Sequence, residues 1–135
     1  NGKSVTLHFQ GGLLGHWACW TKKVVEMFEL CKQARQSPAI PVSLLALANQ
    51  VTDCNAAFFD ASNHYAGALC GVNEVLRRQG LVETTDCLND CERLSPGQLE
   101  QIDRVYRTYP ELNDDDFVKA NLNRWMEDIY VRACA

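Results

Sequence analysis

Ala66-Gly67-Ala68-Leu69-Cys70-Gly71-Val72-Asn73-Glu74-Val75-Leu76-Arg77-Arg78-Gln79-Gly80-Leu81 is the stretch on which the fold turns. It has the period of a short amphipathic helix over 68–79, entered through glycines. Gly80 is placed to take the left-handed conformation that closes a helix, with Leu81 behind it. A helix this short needs neighbours to bury its apolar stripe, and the flanking sequence supplies them.

Upstream, Pro41 or Val42 opens a long helix. Leu44, Leu45, Leu47, Ala48, Val51, Phe58 and Phe59 supply its core contacts, and its pattern runs to about Tyr65. Before it, Thr21 is a capping residue for a helix to about Arg35. Val24, Val25, Met27, Phe28 and Cys31 gather on one face of that helix, and Ser37-Pro38 stops it. Ahead of that, Ser4-Val5-Thr6-Leu7-His8-Phe9 alternates apolar and polar residues as a strand does. Gln10-Gly11-Gly12-Leu13-Leu14-Gly15 suits either a second short strand or a loop passing close to other groups.

Downstream, residues 82–94 lose all periodicity and read as an extended loop along the surface. Ser95-Pro96-Gly97-Gln98 is a helix start, with Ser at the cap, Pro first and Gln third. Leu99, Ile102, Val105 and Tyr106 line that helix, and Tyr109-Pro110 ends it. Asn113 caps a last helix whose apolar face is Phe117, Val118, Leu122, Trp125, Ile129 and Tyr130. The expected fold class is therefore mostly α: one or two N-terminal strands, then about five helices.

At 135 residues and 47% apolar, the chain has enough material for one hydrophobic core. The net charge of −4 is spread without a basic stripe, so nucleic-acid binding is not expected. Asp114-Asp115-Asp116 lies where a helix begins, and there carboxylates favour capping over metal binding. No apolar run reaches the ~20 residues of a membrane span. The seven cysteines, an odd number scattered through helical patterns, suggest free thiols in a reducing, cytoplasmic setting. Cys87 and Cys91 are four apart, but no second Cys or His pair matches them as a zinc clip. Neither a metal nor a cofactor is expected.

Few residues carry chemistry. His8, His16 and His64 form no ligand spacing. Asp60 and His64, four apart on the expected helix, are placed to pair on one face. No nucleophile motif or phosphate loop is present. None of the five lysines sits in a desolvated strand context suited to a Schiff base. That leaves His16, Trp17 and Trp20, between the glycine-rich segment and the first helix. Two readings of them stand: the lining of a substrate pocket, or aromatic packing of the helix onto its neighbours.

The segment ending Asn73-Glu74-Val75-Leu76-Arg77-Arg78-Gln79-Gly80-Leu81 resembles the apolar helix ending in Gly-Leu of the dihydrodipicolinate synthase/N-acetylneuraminate lyase family. These are pyruvate-dependent class I aldolases on a (β/α)8 barrel. Leu94-Ser95-Pro96-Gly97-Gln98 resembles the leucine-serine start of the family's terminal helix. Leu13 to Arg35 resembles its last βα unit, and Ile40 to Leu81 the helices that follow. The resemblance covers about residues 10–108, and 110–135 extend past it.

It implies that residues 1–35 close a barrel as its last βα unit and that 36–135 form a C-terminal helical region. The chain, opening on Asn1, would be the tail of a lyase acting on a 2-oxo acid such as pyruvate. The family's Schiff-base lysine, proton-relaying tyrosine and Gly-Thr-Thr-type carboxylate loop have no counterpart here, so the lysine is expected upstream of Asn1. Homo-oligomer contacts, or pairing with the missing part of the barrel, are implied as well. In that architecture a strand-to-helix loop faces the catalytic end, which would place His16 and Trp17 at the barrel mouth. The rival reading is a non-catalytic helical binding or assembly module.

Overall fold

A computed structural model describes residues 2–12, 15–89 and 91–133, without the side chains of 128–133. The described residues form five α-helices: α1 (Thr21–Arg35), α2 (Val42–Phe58), α3 (Ala68–Arg78), α4 (Gln98–Thr108) and α5 (Asp115–Ala133). Short 3-10 turns stand at Gly15–Ala18, Ala61–Asn63 and Pro110–Leu112. The mostly α class holds, and among the described residues there is no strand.

The expected strand over 4–9 is therefore corrected: residues 2–12 take no regular structure. Their apolar residues are exposed, Leu7 at 87% and Phe9 at 96%. Alternation alone does not make a strand, because the backbone needs a partner strand for its N–H and C=O groups. The arm is tied instead through the Arg35 guanidinium, whose Nη1 donates to Phe9 O at 3.1 Å. Part of the second expected strand, Leu13-Leu14, lies outside the described residues.

The core sits where α2, α3 and α4 converge. Trp20, Cys54, Phe58, Val75, Ile102 and Val105 are almost fully buried there. Trp20 meets Phe58 and Tyr106 edge-on, with ring centroids 4.9 and 5.1 Å apart. α3 approaches α2 through Gly71. A Cβ at that position would run into the carbonyl of Phe58 and the amide of Gln98, so only glycine allows the approach.

α3 ends as its sequence predicts. Gly80 has φ +75°. Its N–H donates to Arg77 O at 3.0 Å, and the Leu81 N–H donates to Leu76 O at 3.0 Å. These are the paired closing bonds of a Schellman motif.

α2 stops at Phe58, seven residues short of the expected Tyr65. Asp60, His64 and Tyr65 all adopt left-handed backbone, which a right-handed helix cannot contain. The buried carboxylate of Asp60 holds the resulting turn. It accepts from Asn63 Nδ2 at 2.7 Å, from the Gly67 N–H at 2.9 Å and from Ser95 Oγ at 2.6 Å. Asp60 and His64 thus do not pair along a helix face; His64 is exposed.

α4 starts two residues later than expected, because Gly97 is left-handed with φ +83°. Half of the expected capping box survives: the Ser95 N–H donates to Gln98 Oε1 at 3.1 Å. The other half is redirected, since Ser95 Oγ goes to Asp60.

The first turn of α1 is capped from a distance. Thr21 Oγ1 donates backwards to Trp17 O at 2.8 Å and caps nothing. Buried Asp114 supplies the acceptor: its Oδ2 takes the Lys22 N–H at 2.8 Å, while its Oδ1 takes Gln79 Nε2 at 2.7 Å. One carboxylate so joins the start of α1, the end of α3 and the entry to α5. Within α5, Val118 is buried and Phe117 exposed; the side chains of Ile129 and Tyr130 lie outside the described residues.

Candidate functional site

The 3-10 turn Gly15–Ala18 leads into α1, which shares a cleft with the first half of α2. Between them lies an open cleft of about 940 Å³. Met27 and Phe28 of α1 face Leu44, Leu47 and Val51 of α2 across it, and residues 7–12 form a further wall. These apolar residues were expected to complete a core. Among the described residues they line a cleft instead.

His16 and Trp17 both line this cleft. Trp20 does not; it belongs to the core, where its indole N–H donates to Tyr106 Oη at 3.4 Å. His16 is buried, and its Nδ1 lies 2.6 Å from Asn55 Oδ1. An amide oxygen only accepts, so Nδ1 carries the hydrogen and Nε2 of the neutral ring keeps its lone pair. Burial pulls the His16 pKa below its ordinary value, against the opposing pull of the Asn55 bond. His16 Nε2 and Trp17 Nε1 are buried without a hydrogen-bond partner. Such orphaned atoms are uncommon in folded proteins; here one is an acceptor and the other a donor. Trp17 is held edge-on against Phe28, centroids 5.8 Å apart.

Two cations also line the cleft, Lys32 and Arg35 in the last turn of α1. Lys32 pairs with Glu29 at 2.6 Å, both about half exposed, which leaves that pair weakly held in water. Sequence reasoning passed over both cations. The available signal was an apolar stripe on α1 that ends in Lys32 and Arg35.

Elsewhere the polar groups are structural. Buried Glu74 accepts from Arg77 Nε at 2.7 Å and Arg78 Nε at 2.8 Å, and Arg78 continues to Asp103 at 2.6 Å. Asp53 of α2 takes both Nη atoms of Arg104 of α4 at 2.7 Å and the Tyr109 hydroxyl at 2.9 Å. Among the described residues no group of His, Cys, Asp and Glu is arranged to hold a metal ion. No helix there is long and apolar enough to cross a membrane. Lys22 and Lys23 lie beside Glu26 on the surface of α1. Comparison with family models, with curated proteins and with solved structures finds no match.

Proposed function

We propose that this chain is a helical binding module that takes an elongated anionic amphiphile, a long-chain fatty acid, into the cleft between α1 and α2. The observation that carries the reading is the cleft itself: aliphatic and aromatic walls with Lys32 and Arg35 on one side. Its volume lies within the range of small-molecule sites, which are mostly apolar with a few placed polar groups. The alkyl chain would lie along Met27, Phe28, Leu47 and Val51. The carboxylate would meet the Arg35 guanidinium, which is suited to bidentate contact.

A fluorescent polyene fatty acid tests this. Saturable uptake in the micromolar range, competed by palmitate, is expected, together with quenching of tryptophan fluorescence. Leu47→Glu should abolish uptake with helicity unchanged. Arg35→Ala should weaken the acid more than the matching alcohol. Absence of uptake by the folded protein would refute the proposal.

The lyase reading rests on the resemblance over about residues 10–108, with its motifs at 66–81 and 94–98, and takes its chemistry from a lysine outside this chain. It makes a separate demand: no lysine here should be trapped by borohydride in the presence of pyruvate. An adduct on Lys3, Lys22 or Lys23 would place the chemistry in this chain instead.

A further inference from the structure

The loop after α3 brings a second cysteine onto the first. Cys70, in the opening turns of α3, is buried. Cys87, in the irregular stretch between α3 and α4, is half-buried. Their sulfurs are 3.1 Å apart across a separation of 17 residues. A disulfide needs about 2.05 Å, so closing the gap takes a movement of about 1 Å.

The placement of Cys87 is built by its surroundings. Asn73 of α3 donates from Nδ2 to Asp86 O at 3.2 Å and reaches Cys87 Sγ at 3.8 Å. Cys87 Sγ itself lies 3.7 Å from Thr85 O. The side chain of α3 that pins the loop therefore pins it with Cys87 over Cys70. The other buried thiols, Cys19 and Cys54, have no such neighbour among the sulfur contacts of the described residues, and Cys31 and Cys91 are exposed.

We propose that Cys70 and Cys87 are a redox-active pair whose disulfide latches residues 82–89 onto α3. The co-reactant is a small-molecule disulfide of the glutathione type. Cys87, the more accessible thiol, loses its proton and attacks one sulfur of the oxidised co-reactant. That breaks the S–S bond, releases one equivalent of thiol and leaves a mixed disulfide on Cys87. Cys70 then loses its proton and attacks the Cys87 sulfur, and the second equivalent of thiol leaves. The protein gives up two electrons and two protons, and the co-reactant takes both as two thiols. The order follows from access: Cys70 is buried and Cys87 half-buried. Burial, reinforced by the Cys87 contact and nearby carboxylates, pushes the Cys70 thiol up to about 11, which makes it a poor first nucleophile; its place 3.1 Å from Cys87 Sγ is what lets it resolve the mixed disulfide.

Latching ties residues 82–89, which have no regular structure, to the helix that carries Glu74 and Gly71. The experiment is peptide mapping under non-reducing conditions after equilibration of the full chain in glutathione buffers of increasing oxidation. The expected product is one linked peptide pair, Cys70 to Cys87, two hydrogens lighter than the reduced pair. Cys31 and Cys91, which are exposed, should carry glutathione at most and no bond to another cysteine of the chain. Cys70→Ser should stop the reaction at glutathione on Cys87. Cys87→Ser should leave Cys70 unmodified. Amide exchange over residues 82–89 should slow on oxidation of the native protein and stay unchanged in Cys70→Ser. Alkylation of both Cys70 and Cys87 in folded, oxidised protein would overturn the proposal, as would a bond between Cys87 and Cys91.

Discussion

Gln98 shows what one buried amide does here. It is 2% exposed. Its Nε2 donates to Gly67 O at 3.0 Å and to Phe58 O at 3.3 Å, and its Oε1 accepts the Ser95 N–H. It thus satisfies carbonyls at the end of α2 and the entry to α3 from the first turn of α4. Gly67 O keeps the Gly71 N–H at 2.8 Å, but Gln98→Ala takes the amide away from Phe58 O and from the Ser95 N–H, at about 1–3 kcal/mol for a buried group left unpaired, so a loss of about 2 kcal/mol in urea unfolding is expected. Gln98→Glu should lose more, because a carboxylate would then face two carbonyls.

His16 carries a second prediction at this scale. Its folded pKa is lowered by burial. Above about pH 6.5 the ring is neutral in both folded and unfolded chains. As pH falls below that, the unfolded chain takes up a proton that the folded one refuses, and stability drops. His16→Gln should lose this decline between pH 7 and 5 in denaturant titrations; an identical decline would mean that the ring is not held neutral. The sequence marked Gln98 as a capping residue and His16 as a pocket candidate. The long-range partners, 31 to 41 residues away, have no signature in the local pattern.

Elements whose ends are governed by local chemistry were legible, and those governed by distant partners were not. Gly80-Leu81 closes α3 through bonds to its own last turn, so its reading needed only nearby residues. Gly80→Val forces a β-branched side chain into left-handed backbone, worth roughly 1–2 kcal/mol. The new Cβ would also stand 3.0 Å from Leu122 Cδ2. A lowered urea midpoint is expected, and an unchanged one would mean that the cap contributes nothing. The start of α1, in contrast, depends on Asp114, more than ninety residues away. The N-terminal strand failed for the complementary reason: its alternation was visible, but the partner strand that would make it real is absent from the described residues. α1 and α2 were both legible as apolar-faced helices; that their faces line a shared cleft was not, because periodicity says which face is apolar and not what lies against it.

At the scale of the whole molecule, carboxylates hold the helices in register. Asp53 joins α2 to α4, Glu74 gathers the arginines at the end of α3, and Asp60 ties the α2–α3 turn to the approach to α4. The Arg104 bonds hold Asp53 below the usual carboxylate range, and the Arg77 and Arg78 bonds do the same for Glu74. For Asp60, burial pulls upward, but the bonds from Ser95, Asn63 and Gly67 outweigh it. A carboxyl with a lowered folded pKa stabilises the protein fully above its unfolded value, about 3.9 for Asp and 4.3 for Glu. That stability is lost as pH falls through the lower folded value, because the unfolded chain binds protons first. The urea midpoint should therefore decline in two stages, shallowly below about pH 6.5 from His16 and steeply below about pH 4 from the three carboxylates.

Glu74→Gln separates this from general acid sensitivity. It keeps the size of the side chain and removes the charge that the arginines meet, at about 2 kcal/mol near neutral pH for a charged hydrogen bond. Half of that pairing faces an exposed Arg77, so solvent takes back part of the loss. The variant should start lower than the native protein at pH 7 and converge on it as pH falls through the lowered folded value of Glu74. Parallel curves across that range would mean that Glu74 does not couple folding to pH, and that the register of α3 is set by Gly71 and the core alone.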